Sequence, residues 1–127
     1  MSQIKTYSLP FKGILGIDFD HTICNSSFPE LGPEMDDAGD TIRKLVEEGY
    51  GVVINTCRSN EALGMAIGYL RRRNIPYHYI NCNFPHLIEL YNSDTRKVSA
   101  DVYIDDKNLG GFPGWKKAYK IINKKFS

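Results

Sequence analysis

Two carboxylates stand two residues apart in the run Gly16-Ile17-Asp18-Phe19-Asp20-His21-Thr22, directly behind the apolar residues Ile14, Leu15 and Ile17. In an extended segment, residues i and i+2 point to the same side, so Asp18 and Asp20 are placed to converge on one point. Like charges that close need a counter-charge. A hard divalent cation such as Mg2+ suits the role, because it takes oxygen ligands and keeps one or two carboxylates together with substrate phosphate. The pattern returns late in the chain as Val102-Tyr103-Ile104-Asp105-Asp106, a second apolar run ending in acid. Between the two, Val52-Val53-Ile54 runs into Asn55-Thr56-Cys57-Arg58. A single D-x-D says little, since acidic pairs commonly end strands as solvated turn residues. Three apolar segments that all end in reactive side chains point to a metal-assisted site at one edge of a sheet.

Those side chains need strands and helices to carry them. Residues 13–19 read as a continuous apolar strand of the kind buried inside a parallel sheet. Asn25, Ser26, Ser27, Pro29, Gly32 and Pro33 make residues 23–35 a loop. A helix is predicted from about Asp36 to Glu48, with Ala38, Ile42, Leu45 and Val46 as its apolar stripe and Gly49 as its stop. Gly51 to Asn55 is a second buried strand. Ser59 or Asn60 starts a helix running to Arg73, with Leu63, Ala66, Ile67 and Leu70 inward. Tyr77 to Ile80 is a weaker third strand, Pro85 to Asn92 a short helix, Asp101 to Ile104 a fourth strand, and Trp115 to Lys125 a last amphipathic helix. Residues 3–9 are a candidate for an extra edge strand. Strands alternating with helices imply right-handed βαβ units and a three-layer, doubly wound, Rossmann-like sheet, mainly parallel, with helices on both faces. In such sheets ligands bind outside the carboxyl ends of the strands, where strand order reverses.

Composition sets the outer limits. The chain has 127 residues, which fits one domain spanning 1–127. With 42% hydrophobic and 24% charged residues, it has a globular rather than a disordered composition. Its formal net charge of +1 argues against broad capture of nucleic acid. No stretch approaches the ~20 apolar residues of a membrane span, so no membrane partner is expected. Met1 to Lys5 lacks the apolar core of a signal peptide. The three cysteines, Cys24, Cys57 and Cys82, have no C-x-x-C spacing and read as reduced thiols, consistent with a cytoplasmic protein.

On these motifs the chain resembles the haloacid dehalogenase (HAD) superfamily of phosphohydrolases, over about residues 13–108. Asp18-Phe19-Asp20-His21-Thr22 is similar to that family's first motif, D-x-D-x-T, Thr56 to its second, Lys97 to its third, and Asp105-Asp106 to its fourth. The resemblance implies that Asp18 attacks phosphorus to form an aspartyl-phosphate and that Asp20 protonates the leaving oxygen, then activates water. That dual role calls for an Asp20 pKa nearer neutrality than that of a free Asp, through neighbouring charge and burial. It implies Mg2+ held by Asp18, the backbone carbonyl of Asp20, and Asp105 or Asp106. Thr56 and Lys97 would hold the phosphoryl oxygens, and Arg58 either grips a substrate phosphate or caps a surface. No inserted cap domain is evident between these motifs, so the chain looks like a small capless member. Its site would then be open to a phosphorylated small molecule or a macromolecular phosphoester, or be closed by a neighbouring subunit of a homo-oligomer. Residues 23–35 and 110–114 are the local candidates for touching substrate.

Plainer readings accompany several of these residues. His21 lines a pocket rather than doing acid–base work. Arg71-Arg72-Arg73, Lys116-Lys117 and Lys124-Lys125 are solvated helix faces, not a nucleic-acid surface. Tyr77, Tyr79, Phe84, Phe112 and Trp115 are core or rim. Two other functions fit a parallel sheet with acidic tips: a receiver-like phospho-acceptor module, and a catalytically silent binding protein. A receiver carries its acidic pair on the first strand, whereas here D-x-D-x-T comes first and the pair last. Asp20, a general acid two residues past the nucleophile, also favours the hydrolase.

Overall fold

The computed structural model describes residues 10–82 and 100–127. Strand β1 (Ile14–Asp18) is followed by helix α1 (Ala38–Glu47), β2 (Gly51–Asn55), α2 (Asn60–Arg72), β3 (Tyr79–Ile80), β4 (Val102–Ile104) and α3 (Trp115–Lys125). The expected strand at 3–9, the helix at Pro85 to Asn92, Phe84 and Lys97 lie outside the described residues. The four strands form one sheet in the order β3-β2-β1-β4, and every pairing is parallel. The α/β, Rossmann-like reading of the sequence therefore holds.

Alternation along the strands divides the interior. Leu15 pairs with Val52 and Val102, and Ile17 with Ile54 and Ile104, so these side chains share a face. They form one core with Ala38, Ile42 and Leu45 of α1, Ala66, Tyr69 and Leu70 of α2, and Trp115, Ala118 and Ile122 of α3. The predicted stripe of α1 is buried apart from Val46, which is half-buried; in α2 the inward face is rotated toward Tyr69, leaving Leu63 and Ile67 half-buried. On the opposite face, Ile14 and Val53 pack with Phe11, Tyr79 and Ala100. Gly16 belongs to this second face: a Cβ there would lie 3.1 Å from Tyr103 Cδ1 and 3.2 Å from the Ala100 Cβ. The absence of a side chain lets β4 close against β1.

Strand order reverses at β1, which has β2 on one side and β4 on the other. Because Ile17 is in register with Ile104 and Asp18 with Asn55, the tips of β1, β2 and β4 lie side by side. This is the switch point at which open α/β sheets bind ligands. The stretch 23–35, read as a plain loop, is an ordered arm. Asn25 N–H donates to the Pro33 carbonyl at 2.8 Å, Met35 N–H to the Ile23 carbonyl at 2.8 Å, and Ser27 and Glu30 exchange two backbone bonds at its tip. Gly32 is required there, since a Cβ would sit 1.8 Å from the Asn25 carbonyl oxygen.

Candidate active site

β1 delivers Asp18 at its last residue, and the chain then turns sharply. The Phe19 carbonyl accepts N–H bonds from Ile23 at 2.9 Å and Cys24 at 3.1 Å, while His21 takes a left-handed φ of 64°. Trp115 at the start of α3 locks this turn by donating its indole N–H to the Thr22 carbonyl at 2.8 Å. The Thr22 hydroxyl is buried and has no hydrogen-bond partner among the described residues.

Asp18, Asp105 and Asp106 meet at the sheet's carboxyl edge: one oxygen from each lies within 4.8 Å of the others. The cause is the parallel pairing of β1 with β4, since acid placed just past both tips cannot avoid close approach. Burial, followed by the neighbouring Asp105 and Asp106 carboxylates, pushes the Asp18 carboxyl up to about 7. Three half-buried carboxylates that repel one another are a donor set for a hard divalent cation. Oxygen ligands of this kind suit Mg2+, so the residues present fit that ion. Lys107 N–H donates to Asp105 Oδ1 at 2.8 Å, which orients that carboxylate.

Asp20 does not join this group. The i, i+2 argument placed it beside Asp18, but β1 ends at Asp18, so strand alternation no longer governs position 20. Its carboxylate turns instead to Arg58, whose Nη2 lies 2.7 Å from Oδ1 and whose Nε lies 2.9 Å from Oδ2. Ser26 donates its hydroxyl to Oδ1 at 2.5 Å. Burial pushes the Asp20 carboxyl up, but the Arg58 and Ser26 bonds outweigh it and hold the group below the usual carboxylate range. The expectation of an Asp20 pKa nearer neutrality is thereby corrected, because a guanidinium is its nearest charged neighbour.

Arg58 is neither at a surface nor open to a substrate. Its side chain is fully buried. Its guanidinium lies over the Phe19 and Phe28 rings, and its Nη1 donates to the Pro29 carbonyl at 3.0 Å and the Ala62 carbonyl at 3.2 Å. Phosphate gripping by Arg58, one of the two sequence readings, has no donors left to serve it except one proton on Nη2. Thr56 is buried at the tip of β2, where its N–H donates to Asn81 Oδ1 at 2.8 Å and its hydroxyl accepts from Arg58 N–H at 3.1 Å. The hydroxyl keeps its own proton to donate. His21 is exposed beside Asp20. Cys57 is also exposed and Cys24 is buried, both as free thiols. Arg71, Arg72, Lys116, Lys117, Lys124 and Lys125 are exposed, as expected of solvated helix faces.

Sequence reasoning missed Ser26 and Asn81. Both are polar residues in polar stretches, and only their fold neighbours distinguish them. For Arg58 there was a signal, a cation three residues beyond a buried strand, but its buried partner was not legible.

The fold and this cluster define an α/β protein with an all-parallel sheet and an acidic, cation-suited centre at the switch point. No family model and no curated protein matches the chain. Among solved structures it is similar to a conserved protein from Bacteroides thetaiotaomicron. The two are 33% identical over 89% of this chain and 91% of that one, with a TM-score of 0.80. The chain belongs to the same family as that conserved protein. None of its described helices is long and apolar enough to cross a membrane.

Proposed function

We propose that this chain is a Mg2+-dependent phosphomonoesterase of the haloacid dehalogenase type. The observation that carries the reading is the meeting of Asp18, Asp105 and Asp106 oxygens within 4.8 Å at the switch point, next to a buried Thr56. Asp18, Asp105 and Asp106 would hold the ion, with the Asp20 backbone carbonyl as the resemblance implies. The ion's part is to cancel negative charge between these carboxylates and an incoming phosphate.

The chain's own groups account for the rest. An Asp18 oxygen attacks phosphorus, and the bond from phosphorus to the leaving oxygen breaks. Asp20 gives that oxygen a proton. Water, losing its proton to Asp20, then attacks the phosphorus of the aspartyl-phosphate, freeing phosphate and restoring Asp18. Arg58 keeps Asp20 ionised at rest, so the proton that Asp20 passes to the leaving oxygen is one it first takes from the monoprotonated phosphate ester, and it takes another from water in the hydrolysis step. Thr56 can donate its hydroxyl proton to a phosphoryl oxygen, and Lys97 fills the corresponding basic role in the motif order. A phosphorylated small molecule or an accessible macromolecular phosphoester is the substrate class, and the 23–35 arm and residues 110–114 are the elements available to touch it.

The test is hydrolysis of p-nitrophenyl phosphate. Turnover is expected with Mg2+, to stop on chelation and to be lost in Asp18→Asn. Undiminished turnover by that variant would remove Asp18 as the nucleophile. A receiver-like module would instead take up phosphate from an acyl phosphate without multiple turnovers.

A further inference from the structure

We infer that Arg58 is the positioning residue of this site, acting on the reaction only through Asp20. The inference rests on the phosphohydrolase reading and extends it to a residue the motifs leave without a role.

Three observations lead to it. First, the pairing is two-pronged: Nε and Nη2 of Arg58 reach both Asp20 oxygens, and Ser26 adds a third donor to Oδ1. Oδ1 is thereby filled, and Oδ2 is left with an open lone pair for a proton. A carboxylate held by a planar fork cannot rotate freely about its terminal torsion, so the open oxygen is kept in one place.

Second, Arg58 is itself fixed from every side. Phe19 and Phe28 lie against its guanidinium, and Nη1 is shared between Pro29 of the arm and Ala62 of α2. Its backbone N–H is bonded to Thr56 Oγ1. The fork therefore refers the position of Asp20, on the turn after β1, to the tip of β2, to α2 and to the arm.

Third, stability alone does not explain the charge. Taking a guanidinium out of water is costly, and apolar side chains of similar volume often replace buried ion pairs without loss. An aromatic sandwich would accept such a side chain. Arg58 differs from an apolar filler in fixing its partner's geometry. Misplacing a proton-transfer group by even 1 Å lowers turnover steeply.

The experiment is a double-mutant cycle on turnover of p-nitrophenyl phosphate with Mg2+, using Arg58→Met to keep side-chain volume and Asp20→Asn as the second background. Arg58→Met is expected to lower kcat on the order of 100-fold in the wild-type background. In the Asp20→Asn background the same change is expected to lower it less than about threefold, because the group it positions is already gone. KM should stay within about threefold in both backgrounds, and Arg58→Lys should recover part of the loss. Equal losses in both backgrounds would make Arg58 a packing residue and overturn the inference alone. A loss carried by KM would make it a phosphate ligand, with the same consequence. If Arg58→Met does not fold cooperatively, Ser26→Ala enters the same cycle. Its loss, about tenfold, should likewise vanish when Asp20 is Asn, and persistence there would sink the inference. Absence of any Mg2+-dependent turnover by the wild-type protein would overturn the phosphohydrolase reading, and this inference with it.

Discussion

Replacing Asp18 with Asn removes one negative charge from the cluster with Asp105 and Asp106 while keeping the side chain's size. The structure gives the energetic consequence a sign. Burial, with the two neighbouring carboxylates behind it, raises the folded-state pKa of Asp18 from 3.8 to about 7. Folding therefore favours the protonated form. The stability this contributes is fully present below pH 3.8 and is lost as pH rises through about 7. A shift of about 3 units corresponds to about 4 kcal/mol at full strength. Asp18 is only half-buried, so solvent screening brings the penalty on the ionised, metal-free protein to about 1–2 kcal/mol. At pH 8 in chelator, Asp18→Asn should accordingly be more stable than wild type by about 1–2 kcal/mol, or about 3–10 °C in Tm. The advantage should fade toward pH 4. Circular dichroism melts across pH measure it. Saturating Mg2+ should reverse the order: wild type gains about 2.7 kcal/mol at a hundredfold excess over Kd, and the variant much less. A variant less stable than wild type at pH 8 in chelator, or one with an undiminished Mg2+ shift, would refute the carboxylate-repulsion argument.

Asp20→Asn should abolish most turnover while keeping the Mg2+-induced Tm shift, since its carboxylate is committed to Arg58 rather than to the acidic cluster. It should also cost about 1–3 kcal/mol by weakening the bonds to a buried guanidinium. The Asp20 carboxyl is held below its ordinary value, so its stabilisation is present above pH 3.8 and lost as pH falls through the folded-state pKa. The gap between the two proteins should narrow toward pH 3, by chemical denaturation. Gly16→Ala should lower the urea midpoint by an amount worth about 1–3 kcal/mol, because the new methyl meets Tyr103 and Ala100. An unchanged midpoint would mean that β4 can shift freely. Trp115→Phe should cost about 1–3 kcal/mol by stranding the buried Thr22 carbonyl that the indole N–H now serves; a silent substitution in thermal melts would mean the carbonyl finds another donor.

Much of the scaffold was legible because its signals are local. Val52-Val53-Ile54 between Gly51 and Asn55 could only be a buried strand, and β2 has those bounds. The stripe Trp115, Ala118 and Ile122 repeats at helical spacing, and α3 buries those residues. β3 was harder. Only Tyr79 and Ile80 pair, and the next turn of backbone is served by the His78 side chain, whose Nδ1 accepts the Val52 N–H at 3.0 Å. Side-chain substitution for a ladder bond leaves no periodic trace in a sequence.

By itself, the sequence determined the alternation of strands and helices, the acid at two strand tips, and hence the expectation that a cation belongs there. These follow from periodicity and residue type, which a chain carries locally. Tertiary structure alone decided that β4 lies against β1, which brings Asp18 to Asp105 and Asp106, and that the turn at Phe19 swings Asp20 away to Arg58 and Ser26. Strand order and the direction of a side chain beyond a strand's end depend on contacts between residues 38 and 87 positions apart. Such contacts exist only once the core has closed, and no local pattern encodes them.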